Sequence, residues 1–212
     1  MSEKFKVGIH YLPEKLMIKS DEDFERMFSL KPEQKHQIQL KDCQIEVPRY
    51  QQNYLNTPKI SQFLSDDSAC NYKYRTSYMF SGFDDSNNNE PLPAIFQPYF
   101  DFVKSYFKDC DFNQVSVNWY NDGKDYIAFH RDCEEYMKGD KNIAILTFNE
   151  KEEVPRDMVF KPDDKSVENI TIPLTHGKIL LIEGETQTYY RHGIMKSENG
   201  KRRISMSFRQ FE

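Results

Sequence analysis

From about residue 114 the chain breaks into short runs rich in β-branched and aromatic residues: QVSVNWY, NIAILTFN, DMVFK, NITIPL, KILLIEG and RRISMSFR. Turn signals such as NDG, KPDD, HGK and SENG separate most of them. Many short strands punctuated in this way imply a sandwich or a closed jelly roll. In the last run Ile204, Met206 and Phe208 alternate with Arg203, Ser205, Ser207 and Arg209. Side chains on a strand alternate sides, so one face is apolar and the other carries two guanidinium groups.

The pattern upstream is different. Ser20-Asp21-Glu22-Asp23 reads as a helix start with acidic residues in its first turn. Residues 36–49 read as one or two short strands around a Lys41-Asp42 turn, and DDSNNNEP at 84–91 reads as a loop. In PAIFQPYFDFVKSYFK, residues 93–108, Ile95, Tyr99, Phe102 and Tyr106 recur at helical spacing. Pro93 suits a helix start, whereas Pro98 costs stability if the helix begins well before it. The expectation is a mostly β protein with some α: an N-terminal helical and hairpin layer (residues 1–113) on a C-terminal double sheet (residues 114–212), forming one compact domain.

Composition narrows the function without fixing it. The 212 residues are enough to bury a core without metal or disulfide staples, and 38% of them are hydrophobic. A net charge of -5 argues against a protein that coats nucleic acid non-specifically, so any nucleic-acid reading rests on a local site. The 16 Phe and 13 Tyr serve cores and base stacking alike. Cys43, Cys70, Cys110 and Cys133 are far apart with no CxxC, and read as free thiols of a reducing compartment. No stretch reads as a signal peptide or membrane span, which leads to the expectation of an intracellular protein, nuclear or cytoplasmic, with no membrane partner.

Three residues stand out chemically: His130 and Asp132 in FHRDCEE, and His192 in YYRHGI. His-x-Asp places both side chains on one face of an extended segment, and a His from another strand completes a facial triad. Such a triad leaves open the positions that a bidentate co-substrate and dioxygen need on a non-haem Fe(II). Taken alone, HxD plus a remote His also arises by chance. The two-arginine face of the last strand shifts the balance, because Arg203 and Arg209 are spaced to hold a small dicarboxylate between them.

At these residues the sequence resembles a known family. NWYNDGKDYIAFHRDCEE is similar to the AlkB pattern N-x-Y-x-x-G-x-x-x-I-x-x-H-x-D-x-E, and RRISMSFRQ to that family's R-x-N-L-T-F-R strand. The resemblance covers about 114–212 strongly and extends weakly back through VPR at 47–49 and SYMFSG at 77–82. It implies a double-stranded β-helix (jelly-roll) core with N-terminal helices and substrate-lid hairpins. It also implies an Fe(II)- and 2-oxoglutarate-dependent dioxygenase that oxidatively demethylates alkylated bases such as 1-methyladenine and 3-methylcytosine. His130, Asp132 and His192 look like the iron ligands. Arg203 looks like the partner of the distal 2-oxoglutarate carboxylate, Arg209 like the arginine near its other carboxylate and Asp132, and Asn118, Tyr120 and Ser205 like further co-substrate contacts. Bottom-up, alternation alone places Asn118 and Tyr120 on one strand face with Trp119 on the other.

The substrate end follows the same resemblance. Tyr78, Phe80 and Ser81 match a pocket segment that sandwiches a base removed from its stack, Glu134 matches an acidic residue that reads the exocyclic amine, and Arg49 matches a backbone or pocket contact. Core packing or plain surface charge is the simpler alternative for each. Ser205 replaces the family's usual Asn, Cys133 stands where duplex-repairing homologues often carry an acid, and the Lys41-Asp42 turn is charged where they carry an apolar wedge. These departures and the acidic pI near 5.6 lead to the expectation of single-stranded DNA or RNA over duplex, acted on by a monomer. An AlkB-like enzyme for protein or lipid, or a non-catalytic binding module that has kept the fold, are the rival readings.

Overall fold

A computed structural model describes residues 4–40, 43–55, 89–134, 137–150 and 154–211. The strands, in chain order, are β1 (Val7–Tyr11), β2 (Gln37–Leu40), β3 (Cys43–Glu46), β4 (Tyr50–Leu55), β5 (Asn89–Pro91), β6 (Gln114–Tyr120), β7 (Ile127–His130), β8 (Ile143–Asn149), β9 (Arg156–Pro162), β10 (Ile170–Leu174), β11 (Lys178–Ile182), β12 (Tyr190–Ile194) and β13 (Arg203–Arg209). The α-helices are α1 (Asp21–Phe28), α2 (Gln97–Tyr106) and α3 (Gly184–Tyr189). The major sheet has the order β1-β11-β8-β13-β6-β4-β5 and the minor sheet β10-β9-β12-β7, while β2 and β3 pair as a hairpin. This is the mostly β, jelly-roll class of fold that the strand pattern predicts.

Period-two alternation decides which side chains meet. On β6 and β13 every residue is buried. Val115, Val117, Trp119, Ile204, Met206 and Phe208 face one way, into a cluster with Phe24, Met27 and Phe28 of α1 and Phe100 and Val103 of α2. A second cluster lies between the sheets and joins Ile143, Ile145, Leu180 and Ile182 of the major sheet to Met158, Phe160, Ile172 and Ile194 of the minor one. The helices therefore cover one side of the major sheet and the minor sheet covers the other.

Local chemistry explains the helices. Ser20 caps α1, its hydroxyl accepting from the Asp23 N–H at 3.1 Å. At the other end, Trp119 Nε1–H donates to the Met27 carbonyl, satisfying one of the acceptors a helix end leaves open. Arg202 lies over the rings of Phe24 and Phe28 and pairs with Glu25 and Glu150, tying α1 to the sheet. Helix α2 begins at Gln97, later than residue 93, so Pro98 falls in its first turn, where its missing N–H costs nothing.

Three differences from the sequence pattern stand out. The end of the 84–91 loop is strand β5, which pairs parallel to β4. The N-terminal part contributes β1, β4 and β5 to the major sheet itself, beside its helices and hairpin. The short helix α3, between β11 and β12, carries no strong helical periodicity and was not foreseen. Among the described residues no helix is long and apolar enough to cross a membrane.

Candidate metal and co-substrate site

The inner face of the major sheet changes character along its width. Over β8 and β11 it is apolar at Ile143, Ile145, Leu180 and Ile182 and turns polar at Thr147 and Asn149. Over β13, β6 and β4 it presents Arg203, Ser205, Ser207, Arg209, Gln114, Ser116, Asn118, Tyr120, Gln51 and Asn53, all buried. The ladder sets these in rows: Arg203 opposite Tyr120, Ser205 opposite Asn118, and Arg209 opposite Gln114. Gln51 of β4 lies opposite Asn118 on its other side.

The minor sheet brings the histidines to this face. His192 of β12 pairs directly with His130 at the end of β7, and their ring centroids are 4.5 Å apart. Gly193 permits the approach, since a Cβ there would lie 2.8 Å from the Ile127 carbonyl oxygen. Strand β7 stops at His130, so Asp132 sits in the irregular segment that follows and not on a continuing strand. The His-x-Asp pair still converges: His130 Nε2 lies 3.3 Å from Asp132 Oδ1. One ligand atom from each of His130, Asp132 and His192 falls within 4.8 Å of the others.

The protonation states suit cation binding. The His130 Nδ1–H donates to the Ala128 carbonyl at 2.9 Å, which turns Nε2 toward Asp132. Burial, reinforced by His130, pulls the His192 pKa down to about 3, so this ring is neutral at ordinary pH. Burial pushes the Asp132 carboxyl upward, but the Arg209 guanidinium, the His130 hydrogen bond and His192 together outweigh it and hold the group well below the usual carboxylate range. Arg209 does so through Nε and Nη2, both donating to Asp132 Oδ2 at 2.9 and 2.8 Å. The result is a neutral His192 ring and an ionised Asp132 carboxylate converging with His130, a set that suits an open facial triad.

Arg203 supplies an independent test of fit. It is fully buried, its Nη2 donates to Thr147 Oγ1 at 3.2 Å, and its guanidinium lies 4.8 Å from the Tyr120 ring centroid. Its Nε and Nη1, together with the Tyr120 hydroxyl, have no hydrogen-bond partner, and no carboxylate pairs with it among the described residues. A buried cation without a counter-anion is costly, and a carboxylate held there supplies both the charge and the acceptors. The residues present therefore fit both a divalent metal and a small diacid.

The remaining candidates divide. Asn118 Oδ1 accepts from Arg49 Nε at 2.7 Å, and Arg49 Nη2 donates to Gln51 Oε1, so Arg49 is a buried member of the polar face beside the co-substrate candidates. Ser205 is buried between Asn118 and Thr147 in the ladder. Glu134 is partly exposed, and its carboxylate pairs with Lys141 Nζ at 2.9 Å. Tyr78, Phe80 and Ser81, like the Lys41-Asp42 turn, lie outside the described residues. Two site residues carried no sequence signal, Gln187 and Arg131. The Asp132 backbone N–H donates to Gln187 Oε1 at 2.9 Å, and Arg131 donates to the Gln187 carbonyl. Thr147, which holds Arg203, was equally unforeseen.

A two-sheet β fold that carries two histidines, one aspartate and a buried arginine with no counter-anion among the described residues fits the class of open-triad metal proteins that bind a diacid. The chain belongs to the 2OG-Fe(II) oxygenase superfamily, whose profile matches residues 24–209. It is 32% identical over 103 residues to "Alpha-ketoglutarate-dependent dioxygenase alkB homolog 3" of Rattus norvegicus, covering 46% of this chain and 35% of that protein. It is 31% identical over 107 residues to "DNA oxidative demethylase ALKBH2" of Homo sapiens, covering 47% of this chain and 40% of that protein. The chain thus spans well under half the length of these AlkB-type relatives in its matched part.

Proposed function

We propose that the chain is an Fe(II)- and 2-oxoglutarate-dependent dioxygenase that oxidatively demethylates alkylated nucleobases of the 1-methyladenine and 3-methylcytosine type. The observation that carries this reading is the His130–Asp132–His192 cluster, tied through Asp132 to Arg209 on the same strand face as the buried Arg203, whose Nε and Nη1 lack hydrogen-bond partners among the described residues. His130 and His192 offer ring nitrogens and Asp132 the carboxylate that would hold the iron. Arg209 keeps Asp132 ionised through Oδ2, which leaves Oδ1 toward the histidines. Arg203, with Thr147 and Tyr120 beside it, would hold the far carboxylate of 2-oxoglutarate, and Asn118 and Ser205 line the same face. When bound, the iron and its co-substrate supply the oxidation of the methyl group with dioxygen, and the protein's part is to bind, orient and exclude water.

Substrate class follows from similarity to AlkB-type relatives, one of which is named a DNA oxidative demethylase. Tyr78, Phe80 and Ser81 are assigned to the base pocket on their motif, with Glu134 beside Asp132 in sequence as the acidic member, released from Lys141 when a cationic base enters. The acidic balance of the chain and the charged Lys41-Asp42 turn favour single-stranded DNA or RNA over duplex, since a charged tip wedges poorly into a base stack. The test is incubation of anaerobically Fe(II)-loaded protein with 2-oxoglutarate, air and methylated single-stranded DNA, single-stranded RNA or duplex, followed by mass spectrometry of the bases. Loss of the methyl mass with matching succinate release is expected, fastest on single strands. Turnover confined to a peptide or fatty-acid panel overturns the substrate class, and no turnover of any kind overturns the enzyme.

A further inference from the structure

We propose that Gln187, assisted by Arg131, is a positioning residue for the Asp132 metal ligand, locking the segment that carries Asp132 onto the segment that leads into His192. The inference rests on the reading of the cluster as a metal site. Asp132 lies beyond the end of β7, where no strand ladder holds its backbone, yet it is buried. A buried N–H must find an acceptor. The acceptor is Gln187 Oε1 at 2.9 Å, from a side chain that is itself only 1% exposed and belongs to α3, just ahead of β12 and His192. Because Oε1 is committed to the N–H, the orientation of the amide group is set and its Nε2 is left without a partner.

A second clasp joins the same two segments. Arg131, between the two ligands His130 and Asp132, donates through Nε to the Gln187 carbonyl and reaches the Thr188 carbonyl at 3.5 Å. Its Nη2 pairs with Asp163, which also faces Arg191, the residue before His192. The two clasps join segments far apart in the chain at the point where their ligands converge. Backbone flanking a metal ligand contributes to affinity by holding it in place before the metal arrives, and loss of such support typically weakens binding about 10–100-fold.

The test uses the metal-free full chain and calorimetric titration with Mn(II), a redox-stable probe of the Fe(II) site. Gln187→Met fills the same space without an acceptor and is expected to weaken Mn(II) binding by about tenfold or more, measured on protein whose circular dichroism and thermal melt show it folded. A variant that melts earlier but binds Mn(II) within twofold of wild type makes Gln187 a packing residue only and overturns the inference, while the metal-site reading stands. Wild-type protein that binds no Mn(II) sinks that reading and the inference with it. If Gln187→Met does not fold, amide hydrogen exchange of wild-type Asp132 decides: strong protection is expected despite its place outside any strand, and free exchange overturns the proposal.

Discussion

The two faces of β13 are equally buried and chemically opposite. Ile204, Met206 and Phe208 enter an apolar cluster with the helices, while Arg203, Ser205, Ser207 and Arg209 look across toward the minor sheet. Burial of the first set stabilises the fold by removing apolar area from water. Burial of the second opposes folding unless each polar group finds a partner. Only part of that requirement is met within the chain. Arg209 has Asp132, whereas Arg203 has one hydroxyl and the face of an aromatic ring. One strand therefore shows what burial alone does not distinguish, a face selected for stability and a face kept for a bound group.

The largest effect is expected from breaking the polar face at the Arg209–Asp132 ion pair. Asp132→Ala removes a metal ligand and strands the Arg209 guanidinium in the interior, which costs about 3–5 kcal/mol of stability. Urea unfolding should show that loss, and Mn(II) titration should show no binding at the site. Phe208→Ala, the neighbour of Arg209 on the opposite face, should cost a comparable 3–5 kcal/mol, about the usual toll for a buried Phe. The distinction lies in the second measurement. The folded fraction of Phe208→Ala should keep its Mn(II) affinity within a few-fold, and a large loss there would show that the two faces are not independent.

How much of this was legible in the sequence follows from the same contrast. Alternation along RRISMSFR and QVSVNWY exposed the two faces directly, since a strand's period needs no tertiary information. His130, Asp132 and His192 were legible through spacing and resemblance, and the structure brings all three together. The partners of the polar face were not legible. Thr147, Gln187 and Arg131 act through register and chain approach: Thr147 meets Arg203 only because β8 and β13 pair with a particular offset. Gln187 sits on a helix too short to produce a periodic signal. Glu134 adds a further case: its pairing with Lys141 is a contact between neighbouring segments that no motif signals.

Arg203→Met should act with the opposite sign to the first two variants, and more weakly. Replacing a buried cation that lacks a counter-anion with an apolar chain of similar length removes a desolvation cost, so metal-free stability should stay level or rise by about 1 kcal/mol or more. Ligand response should move the other way. In wild type, 2-oxoglutarate added with Mn(II) should raise the melting temperature, the linkage stabilising the fold by about 2.7 kcal/mol at 100 times its Kd. In Arg203→Met that rise should largely vanish while the response to Mn(II) alone persists. Wild-type sensitivity to 2-oxoglutarate in the variant would mean that Arg203 is buried for some other reason.

The smallest effect is a slope with pH, and it separates the faces without removing any packing. His192 is neutral in the folded protein, its pKa pulled down to about 3, while the unfolded ring titrates near 6.5. Between these values the unfolded chain binds a proton that the native state refuses. Stability of the metal-free protein should therefore fall as pH drops below 6.5, by up to about 1.4 kcal/mol per pH unit. Asp132 adds to the loss only below the ordinary carboxylate range, because its folded carboxyl is held ionised there. Tyr54 and Cys110 in the helix-covered cluster are both pushed upward by burial, away from acid, and do not contribute in this window. Urea midpoints at pH 7.5, 6.5, 5.5 and 4.5 should therefore show the slope in wild type and, displaced but parallel, in Phe208→Ala. His192→Asn should flatten it. A slope unchanged by His192→Asn would place the acid sensitivity elsewhere and remove the argument that the ring is held neutral, ready for a cation.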